Sequence, residues 1–152
     1  MRRKNRFLIG LAIAVATGLI AVVASFQFGQ TSPLFAKGDL VLAPELNDKV
    51  AGIDTLYIIV FDEESPMPMP YGATRFKVRE APVGQFMHFV LTNESMRVMM
   101  GERPEPKRMR IKARLDMDGN AGPDQPGDLV GEVSGVPFGS RDVTITIARR
   151  IE

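Results

Sequence analysis

Asp116, Asp118 and Asn120, set around Gly119, are the oxygen-bearing side chains of this sequence spaced most like the ligands of a hard cation. A helix–loop–helix calcium loop needs Gly at its sixth position and Glu at its twelfth. Counted from Asp116, Gly119 falls at the fourth position and Gly127 at the twelfth, so the segment reads as a hairpin loop in which Asp, Gly and Asn supply turn geometry. Met67 and Met69 alternate with Pro66, Pro68 and Pro70 ahead of Tyr71, in an extended, polyproline-like stretch. Two thioethers two residues apart, with Met96, Met99 and Met100 further on, form a soft set able to take Cu(I). The same methionines also suit irregular core gaps and contact surfaces. The single His, His88, lies between Met87 and Phe89 and reads as a packed or edge residue of a strand.

No catalytic set can be assembled. There is no Cys, which removes thiolate chemistry, disulfides and covalent haem attachment through this chain. No base stands beside a candidate nucleophile, and no Gly-rich phosphate loop follows a strand and opens a helix. An enzyme is not expected, nor a cofactor or metal. The best candidate interaction surface is basic. Arg108, Arg110, Lys112 and Arg114 alternate strictly with Met109, Ile111, Ala113 and Leu115, and Arg75, Lys77 and Arg79 alternate with Phe76 and Val78. On one sheet, these two faces would give a positive field. As solvated outer faces they would instead protect strand edges.

The elements that must carry these residues are strands. Apolar or alternating runs at Leu40–Leu42, Thr55–Asp62, Ala73–Glu80, Gly84–Leu91, Arg108–Asp116, Leu129–Val133 and Asp142–Arg150 are separated by Gly- and Pro-bearing turns. About seven short strands in about 110 residues predict an all-β, antiparallel β-sandwich of residues 39–152, with a partly open barrel as the alternative. Ahead of it, residues 1–6 form a basic tail and residues 7–28 an apolar run. As a helix the run would span roughly 33 Å, against a hydrocarbon core of about 30 Å. We read it as an uncleaved transmembrane signal-anchor, with residues 29–38 as linker. A cleaved signal peptide is the competing reading. Basic residues ahead of the run keep the N-terminus cytoplasmic and send the β-domain across a bacterial inner membrane into the periplasm. Of the 19 basic residues, four (Arg2, Arg3, Lys4, Arg6) stand before residue 37, whereas all 18 acidic ones follow it. The body is therefore mildly acidic, and nucleic acid is not an expected partner.

Several segments, in order, carry a resemblance. They are Asp54-Thr55-Leu56-Tyr57-Ile58-Ile59-Val60; Pro66 to Pro70 with Arg75-Phe76-Lys77-Val78 and Ala81-Pro82; Leu91 to Met96; Ala113-Arg114-Leu115 with Gly119-Asn120-Ala121; and Gln125-Pro126-Gly127-Asp128-Leu129-Val130-Gly131-Glu132. Together they resemble the C-terminal immunoglobulin-like periplasmic domain of the cytochrome c-type biogenesis protein CcmI/CycH, over roughly residues 40–150. The resemblance implies an immunoglobulin-like sandwich and a non-enzymatic, chaperone-like role in cytochrome c maturation. The implied partners are apocytochrome c or the haem-ligation components, with the membrane engaged through the N-terminal helix. Full-length members also carry a second transmembrane helix and tetratricopeptide repeats, the part assigned to gripping the apocytochrome. Neither is read in this sequence, which points to a split component or a diverged relative. Within the domain, Met67, Met69 and Tyr71 and the Arg108, Arg110, Lys112 and Arg114 face are the expected partner contacts. Periplasmic copper handling and a structural envelope-complex subunit are the alternatives.

Overall fold

The computed structural model describes residues Ser32–Glu152 apart from Pro68, Met100 and Glu102. The tail at residues 1–6 and the membrane span at residues 7–28 lie outside the described residues. Among the described residues, no helix is long and apolar enough to cross a membrane.

Among the described residues nine strands follow in order: β1 (Leu34–Leu42), β2 (Thr55–Asp62), β3 (Pro70–Lys77), β4 (Gln85–Thr92), β5 (Arg97–Val98), β6 (Arg108–Asp116), β7 (Leu129–Pro137), β8 (Ser140–Ile147) and β9 (Arg149–Arg150). The only helical turn among the described residues is 3-10, at Pro44–Leu46. Two sheets form, β4-β1-β8 and β5-β3-β2-β6-β7-β9. The alternation read in the sequence decides what faces inward. Met109, Ile111, Ala113 and Leu115 of β6 are buried, as are Val143, Ile145 and Ile147 of β8 and Leu56, Ile58 and Val60 of β2. They meet Phe35, Leu40 and Leu42 of β1 and Phe89 and Leu91 of β4 in one core.

Three expectations change. The stretch read as linker to residue 38 is strand from Leu34, because Phe35 and Ala36 are core residues with no exposed surface. The all-antiparallel reading fails at one pairing, since β1 runs parallel to β8 while remaining antiparallel to β4. Alternation fixes which face a strand buries, but not which neighbour it pairs with. The extended Met-Pro stretch gives way to strand at Pro70, which pairs with Phe61. Proline is tolerated at the first residue of a strand because no ladder N–H is needed there.

One side of the sandwich is nearly closed. After β8 the chain changes sheets: Ala43 N donates to Ile147 O (2.9 Å), whereas Ala148 N donates to Val130 O (3.2 Å). β9 then pairs with the start of β7. Gly131 permits this approach, because a Cβ there would overlap the carbonyl oxygen of Thr146.

Candidate functional site

The two basic faces do lie on one sheet, except for Arg79, which falls beyond the end of β3 at Lys77. β2 separates β3 from β6, and the register sets Tyr57 between Arg75 and Arg114. The loop from Asp116 to Asp128 folds back over this row. The Tyr57 hydroxyl donates to Gly119 O (3.2 Å), and the guanidinium of Arg114 stands 5.0 Å from the Tyr57 ring centre. Arg114 is only 2% exposed.

The loop is built around that guanidinium. Nη1 donates to Gly122 O (2.7 Å) and to Asp124 Oδ1 (3.4 Å), and Nη2 donates to Asn120 O (3.4 Å). Asp116 Oδ1 lies 3.1 Å from Nη2, and Asp128 Oδ2 lies 3.8 Å from Nε. Asp128 has no exposed surface. It ties the loop's ends by accepting from Met117 N and Gln125 N, each at 2.9 Å. Lys112 Nζ is bonded to Asp124. Gly127 has φ +99°, a conformation that costs glycine little and other residues much. Its N–H donates to Ile151 O, and Ile151 N donates back to Asp128 O, so the chain's end clamps the loop.

Charge and burial act differently on the carboxylates. Burial pushes the Asp116 pKa up, and the Arg114 charge opposes this. Burial acts upward on Asp124 too. There the hydrogen bond from Lys112, with the Lys112 and Arg114 charges, outweighs it and holds the pKa below the ordinary 3.8. Asp118 is held low by hydrogen bonds from Asn120, whose backbone N–H donates to Asp118 Oδ1 (2.9 Å). The cation enclosed by this acidic loop is thus the protein's own guanidinium, and no group of three or more His, Asp or Glu able to hold a metal occurs among the described residues.

The expected contact residues divide accordingly. Arg114 and Lys112 are engaged within the domain, and Arg114 is not a surface residue. Arg110 stacks 4.1 Å over the Phe61 ring and pairs with Glu132 (3.1 Å), yet keeps an exposed flank. Arg108 is exposed. Met67 and Met69 are exposed, at 47% and 39%. Tyr71 is buried instead, packed 5.5 Å from Phe35, with its hydroxyl donating to Arg103 O (3.4 Å) and its pKa raised chiefly by burial. The sequence brought out the arginine row but not the partners Asp124, Asp128 and Tyr57. The signal available was the Gly127-Asp128 pair, quoted above only as part of a resemblance.

His88 is exposed on β4, with Nδ1 3.0 Å from Asp39 Oδ1. The turn after β4 is tied by Ser95, whose Oγ accepts from Thr92 N (2.8 Å) and donates to Val90 O (3.2 Å), while Met96 enters the core.

A family model described as the cytochrome c-type biogenesis protein H Ig-like domain matches residues 37–148, well over half of the chain. No curated protein and no solved structure matches.

Proposed function

The chain belongs to this family of Ig-like domains of cytochrome c-type biogenesis, and we propose that it serves cytochrome c maturation as a contact module rather than as an enzyme. The observation that carries the reading is the reach of the family match, from β1 to the end of β8, so that it takes in the sandwich core and the loop enclosing Arg114. That loop is a structural lock, in which Arg114 and Lys112 are held by Asp116, Asp124 and Asp128. Function falls to the outer surface. Met67 and Met69 on one connection, and Arg108 and the open flank of Arg110 on β6, are the side chains we assign to contacts with apocytochrome or haem-ligation components.

The basic tail and the apolar run of residues 7–28 support an anchor that leaves the domain on the periplasmic face of the bacterial inner membrane. Tethering there would hold the domain at high effective concentration beside membrane partners. The test is covalent-haem staining of membranes from a strain lacking the chain. Loss of the c-type cytochrome bands, restored by the intact chain, is expected. Unchanged c-type cytochrome content would overturn the reading and favour an envelope-complex subunit.

A further inference from the structure

β4 is an edge strand whose free side lacks the usual protection. In the two-sheet arrangement it pairs with β1 alone among the described residues. Strand edges are normally made short, charged or proline-bearing, because their unpaired backbone recruits other chains. The edges of the six-stranded sheet follow that rule: β5 and β9 have two residues each, and β9 is Arg149-Arg150. The sequence of β4, Gln85-Phe86-Met87-His88-Phe89-Val90-Leu91-Thr92, holds no Lys, Arg, Asp, Glu or Pro.

The direction of its backbone groups follows from two hydrogen bonds. Leu42 N donates to Gly84 O (2.8 Å), whereas Ala43 N donates to Ile147 O (2.9 Å). Even-numbered residues of β1 therefore address β4 and odd-numbered ones address β8. The β4 residues opposite the even set are Met87, Phe89 and Leu91. By alternation, His88 and Val90 point their backbone groups away from β1. Ser95 covers one of these, the Val90 carbonyl. The N–H groups of His88 and Val90 and the carbonyl of His88 meet no other strand among the described residues.

Beside the start of β4 lies an open surface hollow of about 590 Å³, with Val78, Val83, Phe86 and Met87 on its apolar wall and Lys77, Arg79 and Glu80 on its charged one. Val83 is 66% exposed. We infer that the free edge of β4 takes an extended segment of another polypeptide as an added strand, with backbone bonds at His88 and Val90 and an apolar side chain seated against Val83, Phe86 and Met87. Added-strand recognition obtains affinity from the backbone and selectivity from pockets for alternate side chains. A second folded copy fits less well. Stable interfaces between folded partners bury about 1,200–2,000 Å² over a broad face, whereas an extended chain needs only the row of outward backbone groups and the hollow beside it. This site rests on the contact role proposed above only for the identity of its client.

The test offers the full chain two unfolded probes, haem-free apocytochrome c and reduced, carboxymethylated α-lactalbumin, and follows amide hydrogen exchange residue by residue. At least tenfold slower exchange at His88 and Val90 is expected with the probes bound. Val90→Pro, which removes an outward N–H and leaves the bonds to β1 in place, should weaken binding at least tenfold. Should that variant fail to unfold cooperatively, the exchange pattern of the unaltered chain decides. Binding without slowed exchange at His88 and Val90, or no binding of either probe, overturns the edge site. If the lactalbumin derivative slows exchange there and apocytochrome does not bind, the edge site stands and apocytochrome falls as the client. If apocytochrome binds and slows exchange only elsewhere, the client stands and the edge site falls.

Discussion

Arg114 shows how one residue can change meaning between sequence and fold. By alternation it belongs to a row of outward cations, and it does leave the sheet on the outer side. The returning loop then covers it. Removing one partner of a buried pair leaves an uncompensated charge and costs about 3–5 kcal/mol. Arg114→Ser should therefore lower stability by about that amount in urea unfolding, because it strands Asp116, Asp124 and Asp128. The paired change Arg108→Ser with Arg110→Ser should stay within about 1 kcal/mol, and should weaken partner capture if that face is a contact. The pH response belongs to the same cluster. Asp124 has a folded pKa below its ordinary 3.8, so its stabilising contribution is present above that value and lost as pH falls through the folded one. Asp116 acts in the opposite sense: its raised folded pKa means that its charge costs stability at neutral pH, a cost relieved on protonation. Asp124→Asn should thus lower the neutral-pH melting temperature and flatten its fall below pH 3.8, as thermal scans across the acid range would show. The cations of the row were legible from spacing. Their neutralisation was not, because Asp124 and Asp128 reach Arg114 through loop geometry that no periodicity encodes.

At the scale of elements, the alternating runs found the strands because one face of each must be buried, and burial writes period two into the sequence. The very short β5 escapes because two residues carry no period, and β9 reads in the sequence as the end of a single Asp142–Arg150 strand. The sheet change between β8 and β9 depends on close backbone approach at Gly131. Gly131→Ala would push a methyl group into the Thr146 carbonyl; overpacking of this kind costs about 1–3 kcal/mol. A lowered denaturant midpoint with an unchanged slope is expected, since the slope follows the surface exposed on unfolding. Asp128→Ala would remove the hydrogen bonds that the N–H groups of Met117 and Gln125 donate to it, at about 1 kcal/mol each, measurable by the same unfolding curves. The Asp-rich loop and the segments flanking β7 would then exchange their amides faster than the β1–β4 ladder.

At the scale of the molecule, Ser32–Glu152 encloses its own core, so the isolated segment is expected to unfold in a single cooperative step by calorimetry. Local pattern and residue order along the chain were enough to establish the all-β class, the inward faces, the absence of Cys chemistry and the family. The folded arrangement was needed to show that β1 runs parallel to β8, that Arg114 is a locked core cation while Arg110 keeps an open flank, that Tyr71 is buried, and that β4 pairs on one side alone among the described residues. Those outcomes depend on which strands become neighbours and on where loops return. Long-range pairing sets both, and a residue's own position in an alternating run does not contain it.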